Sequence, residues 1–249
     1  MHARARIVAE RDGRGGTRPA VLRSESPLLL RRTFDPTALT VHLVGGAAGP
    51  LRGDDLRLDI EVGPGAHLTV HSVAAQLALP GRAGLPASRF EIHASVAAGG
   101  TLIWAPEPLI AAAGCDHRAV TVVDVAEGGC LHWRDDLVCG RHGEPAGDVT
   151  TELTVRYGGR TAYRHDLAVG PRAPAWSGAA VLGGAQAFGT VVLLGVSPRA
   201  QALEGEAALM SLAGSGAVAA AAGADIRDVR RALDPLLPEV PAVGILGGG

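Results

Sequence analysis

Apolar and charged residues alternate strictly from Leu56 to Val62 (Leu-Arg-Leu-Asp-Ile-Glu-Val), the period-two pattern of a strand with one buried face. The phrase Val62-Gly-Pro-Gly65-Ala66-His-Leu68 follows directly, and it returns as Val96-Ala-Ala-Gly99-Gly100-Thr-Leu102 and Val125-Ala-Glu-Gly128-Gly129-Cys-Leu131. A fourth, decayed copy runs Val155-Arg-Tyr-Gly158-Gly159-Arg-Thr161. The copies fall about thirty residues apart, each between two β-rich stretches. Glycine supplies the positive φ of tight turns, so each phrase predicts a turn joining two strands. Repetition at this period predicts stacked β-hairpins or β-coils around one core.

The remaining pattern extends this plan. Residues 3–9 alternate small and charged positions and predict an edge strand, residues 11–19 a turn, and residues 21–32 and 39–44 two further strands. Residues 80–86 are a loop by composition, and Pro171 and Pro174 end the β repetition. A continuous apolar run over 190–196 predicts a buried strand. Ser197 as N-cap and Pro198 at the first helical position then predict a helix to about Leu212. A small-residue strand over 216–222 precedes a second helix, capped by Asp225, with Ile226, Val229 and Leu233 as its apolar face. Pro235 and Pro238 stop it, and a Gly-rich end follows.

The fold class is therefore mainly β: a stacked β-hairpin or β-helix-like scaffold with two short C-terminal helices in β-α steps. It is read as one unit, with a repeat core over about 20–170, a β-α-β-α part over about 187–238 and a disordered tail over 239–249.

Composition narrows the function. The chain of 249 residues carries a formal charge of −2, with no Lys at all, which argues against a clustered basic nucleic-acid footprint. The all-Arg usage reads as codon bias of a high-GC genome. The hydrophobic fraction of 47% is inflated by Ala while aromatics are 3%, so small residues must fill much of the core. Three Cys lack disulfide-framework spacing, residues 1–24 lack a signal-peptide apolar region, and no apolar run reaches about 18 residues. A soluble, reducing, cytoplasmic setting is expected, with no membrane partner.

Chemistry has three candidate locations. Gly53-Asp54-Asp55 places carboxylates in a turn, where Asp next to Gly is also ordinary turn chemistry. Pro106-Glu107-Pro108 fixes a carboxylate on an irregular segment at a strand end. Residues 130–142 hold Cys130, His132, Asp135, Asp136, Cys139 and His142; on a strand Cys130, His132 and Arg134 share one face, and Leu131, Trp133 and Asp135 the other. Cys139-x-x-His142 lacks the second pair that a closed zinc site requires. Nucleophile-elbow, phosphate-loop and H-E-x-x-H patterns do not occur, which favours a binder or scaffold over a catalyst.

Four segments in order bring a family into view: Gly53-Asp54-x-Leu56, Val62-x-x-Gly65-Ala66-x-Leu68, Leu102-Ile-Trp104-x-Pro106-Glu107-x-x-Ile110, and Trp133-x-x-x-Leu137-x-x-Gly140-Arg141. Together they resemble urease accessory proteins of the UreD (UreH) type, from about Leu43 to Gly170 and more weakly to the C-terminus. Arg52 departs from the family's Gly-Gly-Asp, residues 71–76 replace a Thr-rich run, and Arg134-Asp135 stands where Trp is usually followed by Glu.

The resemblance implies a non-catalytic urease maturation factor. It implies binding to a UreF-type protein, which recruits a UreG-type GTPase, and docking on apo-urease. It also implies Ni²⁺ passing through an internal channel, transiently and with no permanently bound cofactor or metal. Asp54, Glu107, Asp135 and Asp136 are the first candidates to line that passage, with His71, His132 and Cys139 next. Arg141 is expected to order a turn or a partner contact, and Ile226, Val229 and Leu233 to pack on the scaffold or meet the UreF-type partner. Two rival readings remain at this point: a fixed nickel or zinc site at Cys130, His132, Cys139 and His142, or a β-helical polysaccharide-active enzyme using Asp54, Asp135 and Asp136.

Overall fold

Strands form wherever the alternation is clearest, and their pairing explains the repeat. The computed structural model describes residues 1–33, 35, 38–196 and 198–238. In chain order the strands are β1 (His2–Arg11), β2 (Thr17–Arg23), β3 (Leu28–Thr33), β4 (Leu39–Gly45), β5 (Asp55–Val62), β6 (His67–Ser72), β7 (Gln76–Ala78), β8 (Ser88–Val96) and β9 (Thr101–Ala105). They continue as β10 (Leu109–Ala111), β11 (Asp116–Val125), β12 (Cys130–Val138), β13 (Asp148–Tyr157), β14 (Arg160–Val169), β15 (Ala187–Leu194), β16 (Gln201–Ala202), β17 (Glu206–Ser211) and β18 (Ala217–Gly223). Helix α1 (Ile226–Leu233) and a 3-10 turn (Asp234–Leu236) follow.

Two sheets face each other. The first runs β14-β13-β11-β8-β5-β1-β2, the second β16-β17-β18-β15-β12-β9-β6-β4-β3, with β7 and β10 continuing it beside β12. Each glycine phrase is the corner where the chain crosses from the first sheet to the second: β5 to β6, β8 to β9, β11 to β12. Strands from successive repeats pair parallel and in register, so Val62, Val96 and Val125 make one ladder and Leu68, Leu102 and Leu131 another. The phrase thus builds coils of a solenoid rather than hairpins. Of the four copies, the decayed one at Gly158-Gly159 turns a true antiparallel hairpin, between β13 and β14.

The core lies between the sheets. Leu56, Leu58, Ile60 and Val62 are all buried, as their alternation predicts. The opposite face of that sheet carries ion pairs such as Arg6–Glu61 at 2.7 Å and Arg118–Glu152 at 2.6 Å. Exposed pairs of this kind stabilise little, but they keep the solvent face polar. Buried Ala3, Ala5, Ala9, Ala217, Ala219 and Ala221 fill space between close strands, as the composition requires. Trp104 and Trp133, on adjacent strands, stack with ring centroids 4.9 Å apart.

Three expectations are corrected. β1 is not an edge strand: it pairs parallel with β5 and antiparallel with β2, so both of its backbone edges are used. The strand expected over 21–32 is two strands, interrupted where Pro27 offers no backbone donor. The first of the two C-terminal helices is instead the β16–β17 hairpin, with β17 pairing antiparallel to β18. Gly205 turns the chain at φ +72° in the middle of the expected helix, and the ladder of β17 with β18 overrides the helix propensity of Ala, Leu and Glu. Ser197, the expected cap, and the tail over 239–249 lie outside the described residues.

The second helix forms as expected. Asp225 accepts the Arg227 amide at 2.8 Å, and Val229 and Leu233 are fully buried against β15 and β18 while Ile226 is half-buried.

Candidate functional site

The second sheet does not run unbroken. β9 ends at Ala105 and resumes as β10 at Leu109; β6 ends at Ser72 and resumes as β7 at Gln76. From Trp133 to Leu137 is four steps along β12, whereas their partners Trp104 and Leu109 are five apart. From Ala105 to Leu109 is four steps, whereas their partners His71 and Gln76 are five apart. Each successive coil therefore carries one more residue at the same level, and each surplus bulges out of the ladder. Past β4 the chain runs outside the ladder through residues 46–50 and rejoins it only at the single Leu51–Leu79 bridge. The break widens coil by coil from β12 toward β4.

Behind this break lies a cavity of about 380 Å³ between the sheets. Its wall is largely apolar, with Leu56, Phe90 and Ile92 from the first sheet and Trp104 and Leu137 from the second. Asp54, Glu107, Asp135 and Asp136 all border the cavity, although the Asp136 carboxylate is turned to the outer face of β12. Exposed Val73 stands at the rim.

Asp135 is the carboxylate that faces the cavity from β12. It keeps some accessible surface, and its side chain lines the cavity. Trp133 Nε1 donates to its Oδ2 at 2.7 Å. The Trp104 N–H faces it closely enough to favour the anion without completing a hydrogen bond of ordinary geometry. Burial nevertheless dominates and pushes the Asp135 carboxyl up to about 7. Its cross-strand neighbour Thr190 also faces the cavity.

The other carboxylates have structural partners. Asp54 Oδ2 accepts the Leu51 amide at 2.9 Å and Oδ1 the amino group of Met1 at 2.8 Å, which fixes the turn before β5. Asp136 faces the outer side of β12, where Arg134 Nε donates to it at 2.9 Å; burial raises its carboxyl and the Arg134 charge opposes that. Arg134 also pairs with Asp234, and Arg230 Nη2 donates to Glu107 at 2.6 Å, so α1 is tied across the break.

The second-rank candidates lie outside the cavity wall. His71 and His132 are on the outer face of the second sheet, and burial lowers the His132 pKa. Cys139 is buried in a separate apolar cluster, which pushes its thiol up to about 12, while His142 is exposed. Among the described residues, no three His, Cys, Asp or Glu side chains converge as metal ligands. Arg141 donates to both oxygens of Glu144, at 2.7 and 2.6 Å, across a tight turn. Sequence reasoning passed over Thr121, Thr190 and His165, which also line the cavity. Their signal was a polar residue at an inward position of an otherwise apolar strand face.

The family model described as the UreD urease accessory protein matches residues 1–241. The chain belongs to the UreD family. Urease accessory protein UreD 3 of Streptomyces griseus subsp. griseus is 43% identical over 249 residues, spanning 96% of this chain and 97% of its own length. UreD of Streptomyces avermitilis is 44% identical over 246 residues, spanning 95% and 96%. UreD 2 of Saccharopolyspora erythraea is 34% identical over 253 residues, spanning 97% and 89%. The resemblance read from the four ordered segments is borne out. These UreD relatives are named as accessory proteins of an enzyme, and the non-catalytic reading of this chain rests on that naming. No helix among the described residues is long and apolar enough to cross a membrane.

Proposed function

We propose that the chain is a urease maturation scaffold acting in the cytoplasm. It bridges apo-urease to a UreF-type protein and, through that protein, to a UreG-type GTPase, while Ni²⁺ passes to the urease active site along the cavity between its sheets. Nickel is cargo here, not a resident cofactor. The observation that most supports this reading is Asp135: a carboxylate in a largely apolar wall, facing a cavity beside which the two preceding coils of the second sheet are interrupted.

A conduit must contact its ion without retaining it. One carboxylate, already engaged by an indole N–H and flanked by Thr190, offers too few ligands to trap a divalent cation. Asp54 and Glu107 serve the route only while they also hold the turn and the helix.

The test is co-expression of a urease operon lacking this gene with the wild-type chain, with Asp135→Asn, or with neither. Nickel per urease active site and recovery of the accessory complex are both read. Wild type is expected to restore nickel, and Asp135→Asn to assemble the complex while loading several-fold less. Full loading by Asp135→Asn would remove the conduit, and equal loading without the chain would remove the maturation role.

A further inference from the structure

β4 and β6 are parallel neighbours, and their register sets His42 directly beside His71. Both project from the outer face of the second sheet, because the alternate residues Val41 and Val70 are buried in the core. The two imidazole centroids are 5.6 Å apart with their planes inclined by 39°.

The tautomer of His71 follows from its partner. Nδ1 lies 3.0 Å from the Ala105 carbonyl, which only accepts, so Nδ1 carries the proton and Nε2 keeps its lone pair. That Nε2 is shielded and has no protein partner. Metal-ligating histidines are arranged in this way, with one nitrogen oriented by a backbone carbonyl and the other free to bind. The Thr33 hydroxyl lies 3.5 Å from His42 Nδ1, at the limit of a hydrogen bond.

The spacing suits a shared ion. With metal–nitrogen bonds of about 2.0–2.1 Å, each ring centroid sits about 3.2 Å from the metal, so two rings lie about 5 Å apart at a tetrahedral angle and about 4.5 Å apart at the right angle of a square or octahedral ion. The observed 5.6 Å is slightly wider than either, so binding draws the two rings together. The location also matters. His42 leads into Leu43, Val44 and Gly45, and His71 into Ser72 and Val73, all of which line the cavity.

We propose that His42 and His71 form an exchangeable two-imidazole site for a borderline divalent cation at the rim of the cavity. The identity of the cation as Ni²⁺ rests on the function proposed above; the site itself rests on the ring geometry. Two nitrogen ligands completed by water select a transition ion over Mg²⁺ or Ca²⁺ and leave positions open for hand-over.

The full chain is tested by equilibrium dialysis against Ni²⁺ alone, as wild type, His42→Gln, His71→Gln, and His93→Gln, the last from the outer face of the first sheet. Each rim variant is expected to bind about a hundredfold more weakly, because a bidentate site becomes a single ligand, while His93→Gln matches wild type. Ni²⁺ is also expected to raise the wild-type melting temperature, a readout that needs no variant. Absence of that rise, wild-type binding in both rim variants, or loss in one of them alone would overturn the proposal. Failure of the Asp135→Asn loading test would sink the conduit and leave this result standing.

Discussion

Arg134 and Asp136, two residues apart on the outer face of β12, form a buried ion pair with Nε 2.9 Å from Oδ2. Each keeps one buried polar atom without a protein partner, Nη2 on Arg134 and Oδ1 on Asp136. Arg134 also holds Asp234 just past α1, and Arg230 on the helix holds Glu107. The helix is therefore docked by apolar burial of Val229 and Leu233 and registered by charge at the break in the sheet.

Removing one member of a buried pair strands the other charge. Arg134→Ala is expected to cost about 3–5 kcal/mol in denaturant unfolding, while the pair Arg134→Met with Asp136→Leu recovers most of it. Arg230→Ala, at a partly exposed contact, is expected to cost about 1 kcal/mol or less. A double variant as unstable as Arg134→Ala would mean that the pair fixes the helix position, not merely its own neutrality.

Asp135 sets a pH dependence with a definite sign. Its carboxyl, ordinarily near 3.8, is pushed up to about 7 by burial, so the folded state keeps a proton that the unfolded chain releases. Stability then falls as pH rises from about 4 to about 7 and is flat in this respect above that window. Asp135→Asn still accepts from the Trp133 indole and carries no charge. It is expected to exceed wild type by about 1–3 kcal/mol at pH 8 and to match it near pH 4, in paired denaturant titrations. Indole emission of the wild type should titrate with a midpoint near 7 and lose that transition in the variant, since Trp133 bonds directly to the carboxylate. A carboxylate kept at a cost to stability is the kind of residue a passage requires.

Legibility in the sequence tracked locality. The strand over Leu56–Val62, the glycine corners and the Asp225 cap depend on a few adjacent residues, and all three were readable. Whether a glycine corner closes a hairpin or a coil depends on which distant strand pairs, and that information is not local. β17 was misread because Ala, Leu and Glu favour a helix until β18 offers a ladder. Alternation placed Asp135 on the face of Leu131 and Trp133, but the cavity it meets arises from a one-residue surplus between coils. That surplus has no meaning before the register is known, and the same is true of His42 beside His71.

Register also explains why the repeated phrase tolerates Ala in its first copy and has Gly in the next two. A Cβ at Gly100 would lie 2.9 Å from the Gly63 carbonyl, and one at Gly129 would lie 2.9 Å from Val125 Cγ1 and 3.1 Å from the Ala97 carbonyl. Each of these corners rests on the corner of the coil before it. The first corner rests instead on the end of β1 and the start of β2, where Gly63 N–H donates to the Ala9 carbonyl and the His67 amide to Thr17 Oγ1, and Ala66 fits there fully buried. Gly100→Ala and Gly129→Ala are thus expected to cost about 2–3 kcal/mol by steric overlap, although neither residue needs a positive φ. Gly128→Ala meets open space but sits at φ +82°, so it is expected to cost about 1–2 kcal/mol through backbone strain. Ala66→Gly should cost about 1 kcal/mol through chain entropy and lost burial. Denaturant midpoints of the four variants check this order, and a Gly129→Ala protein as stable as wild type would show that the coils do not stack as tightly as these carbonyl contacts require.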